Sequence, residues 1–181
     1  MKRYAIYYAP DPGPLADFTA AWLGWDPATG RRVAHPAIEG LPCPIEELTE
    51  APRKYGFHGT LMAPFRLADP QDEVALYQAC TALAASFRPF DLPGLRLCRL
   101  GSFLALTPQS DAPALSDLAA AIVRRLNPLC ARLSAAEIAR RRPETLTLRQ
   151  RALMEVWGYP FVLDEFQFHL TLTAQYYFFP A

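Results

Sequence analysis

The sequence carries no net charge. Eighteen lysines and arginines balance eighteen aspartates and glutamates, so no global field draws the chain toward a polyanion, and nucleic-acid contact would have to rest on a local patch. Cysteines are few, and Cys43, Cys80, Cys98 and Cys130 stand apart with no CxxC pair, which argues against a zinc knot or a thioredoxin-type redox motif. Their apolar neighbours predict buried thiols in a reducing cytoplasm rather than disulfides. No apolar run approaches the ~20 residues of a membrane span. The short run after Lys2 and Arg3 is broken by Pro10 and Asp11, too early for a secretory signal. The expectation is a cytoplasmic protein with no membrane partner.

What is there suits a folded globular chain. Over 181 residues, 51% are hydrophobic and 20% charged, enough apolar surface for one core-bearing domain over residues 1–181. Residues 4–9 read as a buried strand that stops at a Pro/Asp/Gly cluster. Leu15, Phe18, Ala21, Trp22 and Trp25 recur at helical spacing before Gly24 and Pro27. The proline-rich stretch from Asp26 to Pro52 reads as loop. A strand follows, ending at Pro64, and then a helix with Val74, Tyr77, Cys80, Ala84 and Phe87 along one side. Gly101-Ser102 divides two short alternating runs into a hairpin. A further helix starts near Ser116 or Asp117, either able to cap it, and ends or kinks at Pro128. A polar, basic stretch around Pro143 forms helical pieces, and residues 165–180 give the strongest strand signal of all. The order predicts an α+β fold with helices on an antiparallel-rich sheet.

The informative feature is a repeat. Phe57-His58-Gly59-Thr60-Leu61 and Phe168-His169-Leu170-Thr171-Leu172 share the pattern F-H-x-T-L and hold two of the three histidines. Strand side chains alternate with period two, so His58 and Thr60 share one face, as do His169, Thr171 and Thr173, while the apolar residues anchor the other. Threonine hydroxyls can donate to non-bridging phosphate oxygens, and two imidazoles with pKa near ~6.5 can serve as an acid–base pair across phosphorus. Two histidines without nearby carboxylates or thiolates make a poor metal shell, so no metal and no cofactor is expected.

The doubled H-x-T resembles the 2H phosphoesterase superfamily, which includes the LigT-like cyclic phosphodiesterases. It resembles most a branch encoded beside carbon–phosphorus lyase genes, through Pro52-Arg53-Lys54-Tyr55-Gly56-Phe57-His58-Gly59-Thr60-Leu61, Ala63-Pro64-Phe65, Arg140-Arg141-Arg142-Pro143, and Trp157-Gly158-Tyr159-Pro160 before the second motif. The resemblance implies a two-lobed fold with a pseudo-twofold axis. It also implies metal-independent hydrolysis of a small cyclic phosphate or nucleotide-like phosphodiester in phosphonate metabolism. In that mechanism one histidine takes a proton from water and the other protonates the leaving oxygen. His58, Thr60, His169 and Thr171 would be the catalytic set, with Arg53, Tyr55 and Thr173 contacting substrate.

Two departures go with the resemblance. Met62 stands where the branch commonly has a lysine, and the tail from Ala174 to Ala181 is short where the second lobe would continue. The expectation is an incomplete C-terminal lobe with an unpaired sheet edge, offering a homodimer contact. The expected partner is a small phosphorylated substrate. Two other readings stay open: an accessory protein that holds a phosphorylated or phosphonate ligand without turning it over, and a protein that processes or binds an RNA end through the arginines at 124, 125, 132 and 140–142. A solvated helix face explains those arginines more simply. Arg53 and Tyr55 could equally be structural, and His35, in a loop, reads as solvated.

Overall fold

The computed structural model describes residues 2–175. Its strands are β1 (Tyr4–Tyr8), β2 (Trp25–Asp26), β3 (Arg31–Arg32), β4 (Gly59–Phe65), β5 (Leu95–Leu100), β6 (Phe103–Pro108) and β7 (Leu170–Thr171). Its helices are α1 (Pro14–Leu23), α2 (Ile45–Leu48), α3 (Glu50–Arg53), α4 (Glu73–Ala85), α5 (Pro113–Leu126), α6 (Ala135–Arg140) and α7 (Leu148–Trp157). Five strands form one sheet in the order β1-β4-β7-β6-β5, and β2 pairs with β3. The β4–β7, β7–β6 and β6–β5 pairs are antiparallel, so the fold is α+β.

The chain divides into two compact units. The first comprises the chain up to Ile6, Leu61–Leu92 and Asp111–Gln167. Its helices start at strong local signals: the Asp72 carboxylate accepts the Ala75 amide at 2.8 Å, and Ser134/Glu137 and Thr147/Gln150 form capping boxes. Helix α5 begins at Pro113, not at Ser116 or Asp117, because proline at the first helical position has its φ preset and no N–H to leave unpaired. Met62, Leu76, Leu83, Ile122, Val123, Leu126, Leu153 and Val162 make the core of this unit. Met62, at the position where the branch commonly has a lysine, is thus a core residue. Arg66 grips both carboxylate oxygens of Glu137, at 3.1 and 2.8 Å.

The second unit comprises Tyr7–Thr60, Pro93–Ser110 and the described residues from Phe168 to Gln175. Gly24, at φ 71°, closes α1 in the left-handed conformation. The stretch expected to be loop holds the β2–β3 hairpin and the one-turn helices α2 and α3, which form because Ile45, Leu48 and Pro52 bury their side chains. His35, expected to be solvated, is half-buried with Nδ1 3.0 Å from the Trp22 carbonyl.

The long C-terminal strand expectation is corrected in the described part: β7 is two residues long. The amides of Leu172 and Thr173 both converge on the Leu104 carbonyl, at 2.9 and 3.3 Å, and two donors sharing one acceptor end the regular ladder as a bulge does. Nor does β7 present an unpaired edge. It lies between β4 and β6, and the sheet edges are β1 and β5. The aromatic run 176–179 on which the dimer expectation also drew lies outside the described residues. The four cysteines are half-buried thiols. No helix among the described residues is long and apolar enough to cross a membrane.

Two stability outcomes follow from these contacts. A Cβ at Gly59 would lie 2.3 Å from the Phe168 ring, so Gly59→Ala is expected to destabilise by about 1–3 kcal/mol through overpacking, and an unchanged urea midpoint would refute this. Arg66 and Ser134 hold the Glu137 carboxyl down at about 2. A depressed folded value stabilises above the ordinary carboxylate range and is lost as pH falls from about 4.5 toward 2. Glu137→Gln should therefore lower the melting temperature at pH 7, with the difference from the native chain shrinking at pH 2.

Candidate functional site

The second unit brings the two motifs together. Gly59 pairs with Leu170 in the antiparallel β4–β7 ladder. One residue to either side, that register sets His58 across from Thr171 and Thr60 across from His169, all four on one face. Phe57, Gly59, Phe168 and Leu170 occupy the other face and are buried, Leu170 completely. The two matching motifs, read in opposite directions across one pair, generate a local twofold arrangement of imidazole and hydroxyl groups. The alternation expected from the sequence has its physical cause here: the apolar positions carry the burial and leave the polar positions half-exposed.

His58 is the better defined of the two rings. Its Nδ1 lies 2.9 Å from the Gly56 carbonyl, which accepts a proton and so assigns N–H to Nδ1 in the neutral ring and leaves Nε2 as the working atom. Gly56 adopts φ 73°, and a Cβ there would meet Pro27 at 2.7 Å, so glycine is needed to present that carbonyl. The Tyr7 ring lies against the imidazole with centroids 4.0 Å apart. Burial pushes the His58 pKa below its ordinary value; the hydrogen bond to Gly56 opposes this, and the charge of His169 adds to the depression. His169 packs on Phe103, with centroids 5.8 Å apart.

The remaining expected residues divide. Tyr55, 69% exposed, lines a 250 Å³ pocket together with Gly56, His58, Phe103, Thr171 and Thr173. Thr173 is buried, and its hydroxyl accepts the Leu104 amide at 2.9 Å. Arg53 is engaged structurally: it donates to the carbonyls of Leu23 and Glu46, at 2.8 and 2.6 Å, and to the Thr49 hydroxyl. It therefore ties α1 to α2 and α3.

Other residues on this face escaped the sequence reading. Thr171 pairs with Ala105 of β6, and Thr107 on the same β6 face pairs with Arg96 of β5. The Thr107 hydroxyl is buried without a hydrogen-bond partner, and Arg96 is exposed. The alternation of Phe103, Ala105 and Thr107 was readable as one face of a strand. Which face it joined depends on pairing with β7. Among the described residues no group of three or more histidines, cysteines or acids could hold a metal ion.

Comparison with known proteins adds three findings. Residues 60–177 match the family described as protein of unknown function (DUF1045). The chain is 39% identical over 175 residues to a protein of Janthinobacterium sp. (strain Marseille) named ribose 1,5-bisphosphate phosphokinase PhnN, covering 96% of this chain and 39% of that one. It is 35% identical over 174 residues to the protein of that name from Laribacter hongkongensis (strain HLHK9), covering 96% and 40%. The chain thus spans about two fifths of the curated relatives it matches. No solved structure matches. These names correct the expected activity. A phosphokinase transfers a phosphoryl group and does not hydrolyse a phosphodiester, so the reading as a phosphodiesterase, a hydrolase, is overturned.

The depressed His58 pKa gives a direct check. In histidine-resolved NMR, His58 should titrate below 6.5, and His169→Ala should move its midpoint upward by removing a like charge. A His58 midpoint at or above the ordinary value, or one insensitive to His169→Ala, would contradict the arrangement.

Proposed function

The chain belongs to the DUF1045 family, and from that premise we propose that it holds a phosphorylated ribose for phosphokinase chemistry of the kind its relatives' names describe, within phosphonate metabolism. The observation that carries this reading is the Gly59–Leu170 register, which gathers two imidazoles and two hydroxyls on one face. A phosphate monoester near neutral pH carries between one and two negative charges and three acceptor oxygens. Thr60 and Thr171 supply hydroxyl donors, and His58 and His169 supply N–H donors whenever protonated. A bound anion would itself favour the protonated rings.

The 250 Å³ pocket beside His58 is slightly below the ~300–1,000 Å³ usual for ligand sites, which suits a small sugar phosphate better than a nucleic-acid segment. The name ribose 1,5-bisphosphate specifies a phosphate at each end. Arg96 is two strands from β7, about 10 Å at ordinary strand spacing, and its cationic side chain can serve the second one. The chain's two lysines, Lys2 and Lys54, lie in no Gly-x-x-x-x-Gly-Lys-Ser/Thr loop, the device with which many kinases cradle nucleotide phosphates. Its part in such chemistry, on this reading, is the sugar-phosphate end. The same paired motifs support the resemblance to 2H phosphoesterases at the level of the phosphate site.

Calorimetric titration of this chain with ribose 1,5-bisphosphate should show binding. His58→Ala and His169→Ala should each weaken it at least about tenfold, about 1.4 kcal/mol. Absence of binding by the folded chain, or binding indifferent to both histidines, would refute the proposal.

A further inference from the structure

The first unit contains a cavity of about 720 Å³ walled by β4, α5, α6, α7 and the segments between them. Part of its lining is apolar, including Met62, Val123 and Trp157. The rest is dominated by guanidinium groups: Arg66, Arg132, Arg141 and Arg151 all line it, against the carboxylates of Glu137 and Glu155. Glu137 is already committed, since Arg66 takes both its oxygens and the Ser134 amide donates to it as well. Positive charge is therefore in excess around this space.

Arg141 is the one of the four with a buried guanidinium nitrogen that lacks a hydrogen-bond partner. The sequence reading favoured a solvated face for the run Arg140-Arg141-Arg142, and Arg140 and Arg142 are indeed exposed, but Arg141 is half-buried. Its Nε is buried and has no hydrogen-bond partner. Its guanidinium carbon lies 5.1 Å from the centre of the Tyr159 ring, a contact that satisfies charge but accepts no directed N–H bond from Nε. Burial pulls its pKa down, Tyr159 and Glu137 oppose this, and the neighbouring charges of Arg3 and Arg140 add to the depression. The chain turns sharply just beyond it, with Arg142 in the left-handed region at φ 49°, a conformation unfavourable for a side chain of this size. A buried guanidinium N–H without an acceptor is costly. An anion inside the cavity, which Arg141 lines, would offset the surplus charge.

We propose that this cavity is a second ligand site, taking a small phosphate monoester with an apolar body, with Arg141 as its anchor. A guanidinium offers a planar fork of donors that matches the oxygens of a phosphoryl group, and the apolar lining receives the organic part. Arg151 and Arg132 add charge around the ligand. The site draws on no residue of the His58–His169 face.

The test uses phenyl phosphate as probe, with phenol and inorganic phosphate as its two halves, in calorimetric titrations of the full chain. Phenyl phosphate should bind at least tenfold more tightly than either half. Arg141→Gln should weaken it at least tenfold, and the double variant His58→Ala/His169→Ala should leave it within twofold of the native chain. Binding unaffected by Arg141→Gln, or lost in the histidine variant, overturns the proposal, the latter result assigning the probe to the other face. Should Arg141→Gln melt before the titration temperature, Arg151→Ala at an exposed position should still weaken binding severalfold, and no change there overturns the proposal equally.

Discussion

The pairing of Gly59 with Leu170 is the contact on which the arrangement of this protein's chemistry depends. Shifting that register by one residue would invert one strand against the other, turning one histidine and its threonine toward the buried face and bringing one phenylalanine to the open one. The register is held from behind: Gly59 has no side chain, and the Phe168 ring occupies the space where one would be. Leu170 is wholly buried beside them. Apolar packing thus sets where the polar groups stand. The hydroxyls and imidazoles need no contacts among themselves to be aligned.

Around this pair the second unit spends several polar groups on keeping main-chain segments in place. Arg53 collects two carbonyls and a hydroxyl, the Trp22 indole N–H reaches the Leu172 carbonyl at 2.8 Å, and the Ala174 amide donates to Leu48 at 2.7 Å. These bonds join α1, α2 and the segment after β7, which are distant in sequence. Buried main-chain acceptors need partners, and long side chains from other elements supply them where no strand is adjacent. The first unit reaches order by another route, with helices begun by capping boxes and closed over an aliphatic core.

Much of this was legible in the residues. The doubled motif, its alternating faces, the Gly101 turn between β5 and β6 and the existence of the main helices all follow from local periodicity and punctuation. What escaped was set by non-local contacts. Nothing near Thr107 or Arg96 tells that β6 and β5 extend the histidine face, because that depends on which strand lies beside β7. Arg53 reads as a phosphate ligand until its acceptors are seen. The strand pattern after Glu165 is genuine as a propensity, yet two amides meeting on Leu104 stop the ladder after Thr171. The phosphodiesterase expectation failed for a different reason: the same pair of H-x-T motifs suits any phosphate group, and the relatives, of which the chain spans about two fifths, are named for transfer.

The β4–β7 pair also has a kinetic meaning. Strand β7 is last in the order of described elements and β4 stands near its middle, with α4 through α7 and the β5–β6 hairpin between them. Closing so large a loop carries an entropic cost before any of the contact energy is gained. On that ground the histidine face is expected to form after the local helices and the hairpin. An anion held as proposed, across His58 and Thr171 on one side and Thr60 and His169 on the other, would act as a clasp across the longest loop in the sheet. Its occupancy and the integrity of the sheet are then thermodynamically coupled.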